Sequence, residues 1–121
     1  MDRILSKTEI DSVIKKIIHQ LQAAIGERLT AVVLFGSYSR GTADGESDVD
    51  VLVVVDGVYD DVRKKYFEKI IDIGFEASLE TGITVSLLLD STDKIYKYQN
   101  IMPFYKNVIK EGKNYYGRLS A

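Results

Sequence analysis

The sequence predicts an α/β fold: a small three-stranded mixed sheet with helices packed on it. Three observations predict it. Two Val-rich runs, Thr30–Phe35 and Asp48–Val55, flank a short polar loop. Two long stretches carry apolar residues at helical spacing, one before the first run and one after the second. A third apolar run, Ile83–Leu89, follows the second helical stretch directly.

Each element has its own local signals. Ser6-Lys-Thr-Glu9 reads as a capping box. Ile10, Val13, Ile14, Ile17, Ile18, Leu21 and Ile25 then give a helix over about 7–25 with one broad apolar face, and Gly26 stops it. His19 lies beside that face. With no second His and no Cys, it reads as a surface histidine rather than a ligand or base. Thr30–Phe35 is a near-continuous apolar strand, and Ser37–Arg40 forms a short helical turn. Thr42–Ser47 is a loop with Asp44-Gly45 as its turn signal. So short a link to Asp48–Val55 implies an antiparallel pair. The end of the first strand and the start of the second then share one edge.

Asp56-Gly57 ends the second strand. Val62, Tyr66, Ile70, Ile73 and Ala77 space a helix over about 59–80, broken by Thr81-Gly82. Its Arg63-Lys64-Lys65 run reads as a solvated face, since acids surround it. A strand–helix–strand unit crosses over right-handed, so Ile83–Leu89 runs parallel to the second strand. Ser91, Thr92 or Asp93 caps a short helix through about Tyr98; Pro103 starts another over 103–111, which Gly112 ends. Tyr115-Tyr116-Gly117 lead into a short tail. Five tyrosines lie beyond residue 95 (Tyr96, Tyr98, Tyr105, Tyr115 and Tyr116), and suit either an interface or an ordinary domain rim. No repeat or linker interrupts the chain, so residues 1–121 are expected to form one domain.

Composition narrows the function classes. Hydrophobic content of 45% and charged content of 28% describe a globular chain. A net charge of −2 argues against a nucleic-acid module, which shows a basic excess. With no cysteine, disulfides and thiolate metal sites are excluded. There is no membrane-length apolar run and no signal-peptide pattern, so the cytoplasm is the expected location.

The loop between the first two strands carries the chemistry. Residues i and i+2 of a strand share a face, so Asp48 and Asp50 converge while Val49 faces away. Burying an unpaired carboxylate costs several kcal/mol. A divalent cation relieves the repulsion between two of them, and Mg²⁺ takes one or two carboxylates with phosphate oxygens and water. Gly36-Ser37 offers the complementary half, a close-approach backbone for a phosphate.

Gly36-Ser37, ten residues, then Asp48-Val49-Asp50 resembles the GSx10DxD signature of the nucleotidyltransferase superfamily that includes DNA polymerase beta. Arg40-Gly41 fits the common form of that signature. At this length the chain resembles a minimal nucleotidyltransferase, a group that often occurs as the antitoxin partner of a HEPN-domain toxin. The resemblance implies the polymerase beta-like fold and transfer of a nucleoside monophosphate, AMP from ATP, to an acceptor with release of pyrophosphate. It implies that Asp48 and Asp50 bind one or two Mg²⁺ ions, and that Gly36, Ser37 and Arg40 hold the triphosphate. The acceptor it implies is a macromolecule, such as a HEPN toxin modified on tyrosine.

One part departs from the pattern. Active members usually carry a third carboxylate early in the next strand, and here that position is Ser86. Asp90 shares its strand face but lies about 13 Å further along, toward the wrong edge. Glu76 and Glu80, near the end of the crossover helix, are the substitutes that topology offers. Two functions therefore stand: a nucleotidyltransferase, or a nucleotide-binding module that neutralises a partner protein by contact. The open sheet edges also allow homo-oligomers.

Overall fold

The computed structural model describes residues 3–119. Helix α1 (Lys7–Ile25) begins where its cap requires. Ser6 Oγ accepts the Glu9 N–H at 3.1 Å, and Glu9 Oε1 accepts the Ser6 N–H at 3.0 Å. The helix buries Ile10, Ile14, Ile17, Leu21 and Ile25, one per turn or nearly so. A 3₁₀ turn at Gly26–Arg28 leads into β1 (Leu29–Phe35) and the short α2 (Ser37–Arg40). Then follow β2 (Val49–Val55), α3 (Tyr59–Thr81), β3 (Val85–Ser91), α4 (Thr92–Tyr98), α5 (Pro103–Glu111) and β4 (Lys113–Gly117).

The strand order is β3-β2-β1-β4. β1 pairs antiparallel with β2 and β4, and β2 pairs parallel with β3. The α/β class, the antiparallel first pair and the parallel crossover pair are as the sequence predicts. The sheet has one strand more than expected, because the Tyr-rich tail is β4. That strand lacks apolar alternation: its ends are exposed, and Tyr115 and Tyr116 are half-buried. It forms because β1 has an open side to fill. Gly117, at φ +57°, lies so close to the Thr30 carbonyl that any Cβ there would overlap it.

β3 starts two residues later than expected. The end of α3 holds the entry instead: the Ile83 N–H donates to Thr81 Oγ1 at 3.2 Å, and the Val85 N–H to Ser78 Oγ at 2.8 Å. Its last residue, Ser91, is also the cap of α4, its side chain accepting the Lys94 N–H.

Helices cover both faces of the sheet. α1 and α3 pack on Val32, Leu34, Val51 and Val53, with Ile14, Ile17, Leu21 and Ile70 fully buried between the layers. On the opposite face Ile95, Tyr105 and Val108 of α4 and α5 meet Ala31, Val33, Leu52 and Val54. Being covered on both sides explains why β2 reads as a continuous Val/Leu run rather than an alternating one. No helix among the described residues is long and apolar enough to cross a membrane.

Candidate active site

The register brings the candidate residues to one end of the sheet. Phe35, the last residue of β1, is the partner of Asp50, and Asp50 is the partner of Ser86 on β3. Gly36 follows with φ +76°, a conformation that glycine adopts without penalty. A Cβ placed on Gly36 would stand 2.6 Å from Asp50 Oδ2, so a side chain at 36 would occupy the space of that carboxylate. The Gly36 carbonyl accepts the N–H groups of Ser39 and Arg40, both at 3.1 Å, which winds α2 directly behind the glycine. Gly41 (φ +76°) ends α2, and Asp44 Oδ1 organises the following loop by accepting the Glu46 N–H at 2.9 Å.

Asp50 is half-buried, and Asp48, just outside the strand, is exposed. Burial pushes the Asp50 carboxyl above its ordinary range, the Asp48 charge adds to the push, and the Arg40 charge opposes it. Two mutually repelling carboxylates, one of them desolvated, form a donor set suited to a hard divalent cation whose shell a ligand's phosphates complete. Asp48, Asp50, Gly36 and Arg40 are thus neighbours in space. Ser37 opens α2 beside them.

The structure adds a residue that sequence reasoning missed. Glu111, at the end of α5, holds α2 from both sides: Ser39 Oγ donates to its carbonyl at 2.5 Å, and its Oε2 lies 3.7 Å from Arg40 Nη1. No local signal marks this pair, since 72 positions separate Ser39 from Glu111. Between them opens a cleft of about 270 Å³, lined by Phe35, Gly36, Arg40, Phe104, Asn107 and Glu111. A larger cavity, about 460 Å³, lies on the α1 side of α2, with Lys7, Tyr38, Lys113 and Tyr115 in its wall. It touches neither aspartate, so the carboxylate pair and not cavity size locates the site.

Among the described residues no third acid joins the pair. Among the described residues, no group of three His, Asp or Glu side chains is placed to hold a metal ion. Ser86 occupies the position beside Asp50 and is exposed. Glu76 and Glu80, the expected substitutes, are corrected by the layer they belong to. Both are exposed on α3, which packs on the other face of the sheet from Asp50. There Glu80 Oε1 accepts from Lys16 Nζ at 2.7 Å, and Glu76 adds to the charge around Lys16. Asp90 is aligned with Val54 at the far end of β2. It is buried, and accepts the Tyr105 hydroxyl and the Ser91 N–H, each at 2.8 Å. His19 is exposed, as expected.

Comparison with known proteins follows the same lines. The profile of the nucleotidyltransferase domain family matches residues 8–116. A candidate protein adenylyltransferase of Methanocaldococcus jannaschii is 31% identical over 106 residues, covering 88% of this chain and 97% of that protein. Among solved structures, a toxin–antitoxin complex with AMP-PNP contains a chain 25% identical, with a TM-score of 0.57 over 85% of this chain and 72% of that one. The tri-AMPylated Shewanella oneidensis HEPN toxin in complex with MNT antitoxin contains another, 21% identical, with a TM-score of 0.51 over 88% of this chain and 71% of that one. At that identity the likeness is one of fold.

Proposed function

The chain belongs to the nucleotidyltransferase domain family, and from that membership we propose that it moves AMP from ATP onto a hydroxyl of a partner protein. The observation that carries this reading is the packing of the Asp50 carboxylate against a glycine that leaves room for it, with Asp48 on the same side. The similar M. jannaschii protein supports the adenylyl group and a protein acceptor. The AMPylated HEPN toxin in the Shewanella complex supports a HEPN-type toxin as that acceptor.

In the proposed reaction the acceptor oxygen attacks the α-phosphorus of ATP. The bond to the β-phosphate breaks, pyrophosphate leaves, and the acceptor hydroxyl passes its proton to solvent. Asp48 and Asp50 are the residues that would hold Mg²⁺. When bound, the ion neutralises phosphate charge and fixes the in-line geometry. Gly36 and Ser37 hold the phosphate chain by close backbone approach and a hydroxyl. Arg40 exchanges the long Glu111 contact for a phosphate oxygen, which its guanidinium fork binds through two donors.

A second reading rests on Ser86. Without a carboxylate beside Asp50, the chain binds nucleotide and neutralises its partner by contact alone. One experiment separates the two. The protein is incubated with Mg²⁺ and α-labelled ATP in native-host lysate, beside the Asp48→Asn/Asp50→Asn variant. Transfer predicts label on a specific protein, lowered at least about 100-fold with the variant, as for loss of transition-state charge stabilisation. No label, with nucleotide binding retained by the unmutated chain, selects the contact reading.

A further inference from the structure

The cleft beside Gly36 has walls unlike the rest of the site. One flank of α5 supplies one wall, with Phe104, Asn107 and Glu111 at helical spacing. Phe35, Gly36 and Arg40 supply the other. Phe35 and Phe104 meet edge to face, their ring centroids 5.4 Å apart. Both are half-buried, so ring surface is left for the cleft. Asn107 and Glu111 are exposed and stand one turn apart. Arg40, the only cation among the described lining residues, is already opposed by the Glu111 carboxylate at 3.7 Å.

These walls suit a flat, neutral ring that carries hydrogen-bond donors. A phosphate within the cleft would meet the Glu111 carboxylate and two rings that donate nothing. A nucleobase would stack on the same rings. The volume agrees. At about 270 Å³ the cleft falls below the roughly 300–1,000 Å³ of pockets that enclose a whole ligand. One ring system enters it, and the rest of the ligand stays outside. Gly36 is the link, since it lines the cleft and packs against the Asp50 carboxylate. A ring in the cleft therefore adjoins the end of the sheet where the phosphates would bind.

We propose that this cleft receives the adenine of ATP, and that Asn107 and Glu111 select it over a 6-oxo purine. The proposal rests on the AMP-transfer reading given above. Adenine presents its amino group and N7, a donor beside an acceptor, where guanine presents two acceptors. An Asn amide pairs with the adenine pattern through both of its groups. A carboxylate only accepts. When Arg40 turns to a phosphate oxygen, Glu111 loses that cation and accepts the second amino hydrogen. A 6-oxo group would instead face the carboxylate oxygen to oxygen, and both would go unpaired. Phosphate binding and base reading are thus coupled through the Arg40–Glu111 pair.

Equilibrium binding of Mg²⁺-ATP and of Mg²⁺-inosine triphosphate to the full chain tests this. The second nucleotide carries a 6-oxo group where ATP carries the amino group. ATP should bind about tenfold more tightly or better. Glu111→Gln should bring the two affinities close together, because its amide donates to an oxo group and its backbone carbonyl still accepts from Ser39. Asn107→Ala should weaken ATP by about tenfold and inosine triphosphate by less. Asp48→Asn/Asp50→Asn should weaken both alike and leave their ratio standing. A fault in the carboxylate reading therefore shows as loss of that common effect with the ratio intact. A fault in the base reading shows as equal affinities with the common effect present. A wild-type chain that binds the two nucleotides equally, or binds neither, overturns the inference. So do Glu111→Gln and Asn107→Ala variants that both keep the wild-type ratio, or an Asn107 side-chain amide resonance that ATP leaves unshifted.

Discussion

At the residue scale the site turns on two neighbours of Asp50. Gly36 is defined by what it lacks, since a methyl group there would stand 2.6 Å from Asp50 Oδ2, well inside van der Waals contact. Ser86 is defined by where it stands, in register with Asp50 on a parallel strand and exposed on the same face. A carboxylate at 86 would face the same space as Asp50 with no backbone change. Ser86→Asp is therefore expected to raise the rate of AMP transfer, on the order of 100-fold where proton removal limits it. The same change should push the Asp50 carboxyl further up, because a third negative charge adds to that of Asp48. Single-turnover transfer and carboxyl carbon NMR read the two effects. An unchanged rate would place the proton acceptor on the partner. Asp48, Asp50, Gly36 and Ser37 were legible in the sequence because the signature is local, two strand ends and the loop between them. Glu111 was not, because its contact with Arg40 depends on where α5 lands.

At the element scale the instructive case is β4. Its five residues carry two half-buried tyrosines and no alternation, so no periodic pattern announces a strand. Pairing with β1 supplies the hydrogen bonds, and side-chain ties supply the position. Tyr115 donates its hydroxyl to Asp11 Oδ1 on α1 at 2.6 Å, with Lys113 Nζ 3.5 Å from the same oxygen. The Tyr115 hydroxyl holds the Asp11 carboxyl below its ordinary value; desolvation, the next largest effect, opposes it, and Lys113 adds to the lowering. A lowered carboxyl stabilises the fold above its unfolded pKa and ceases to do so as the pH falls through the lowered value. Tyr115→Phe should therefore destabilise the protein at neutral pH, and the difference from wild type should shrink below about pH 4. Urea unfolding across pH reads this, and NMR should show Asp11 titrating higher in the variant. The other elements were legible because their signals are local. The capping box of α1, the glycines after α1 and α3 and Pro103 at the start of α5 each act within a turn of the boundary they set.

At the scale of the whole molecule the sheet divides two tasks. Its α4/α5 face carries the Asp50 end and the cleft beside Gly36, and its α1/α3 face carries the larger core. The α5 layer is fastened to the sheet at the end remote from the site. There the buried Tyr105 hydroxyl donates to the buried Asp90 carboxylate, and burial first, then that acceptor, pushes the Tyr105 hydroxyl pKa up. Tyr105→Phe leaves one Asp90 oxygen buried without that donor, which should cost about 1–3 kcal/mol in urea unfolding. Because the Glu111 carbonyl of α5 also holds Ser39 and so positions α2, the same variant should weaken nucleotide binding without touching Asp48 or Asp50. An equally stable variant with unchanged binding would separate the anchor from the site.

The sequence by itself determined the α/β class, the order of strands and helices through α5, and the carboxylate pair with its glycine. Those features follow from caps, periodicity and a signature confined to one strand–loop–strand unit. Only the tertiary structure decided that the tail completes the sheet, that Glu111 rather than a nearby residue engages Arg40, and that Glu76 and Glu80 belong to the layer opposite the site. The physical reason is separation along the chain. Asp11 and Tyr115 are 104 positions apart, and Lys16 and Glu80 are 64 apart. Such pairs are set by which face of the sheet each helix covers and by which edge is left to be filled, and neither is written in the residues beside them.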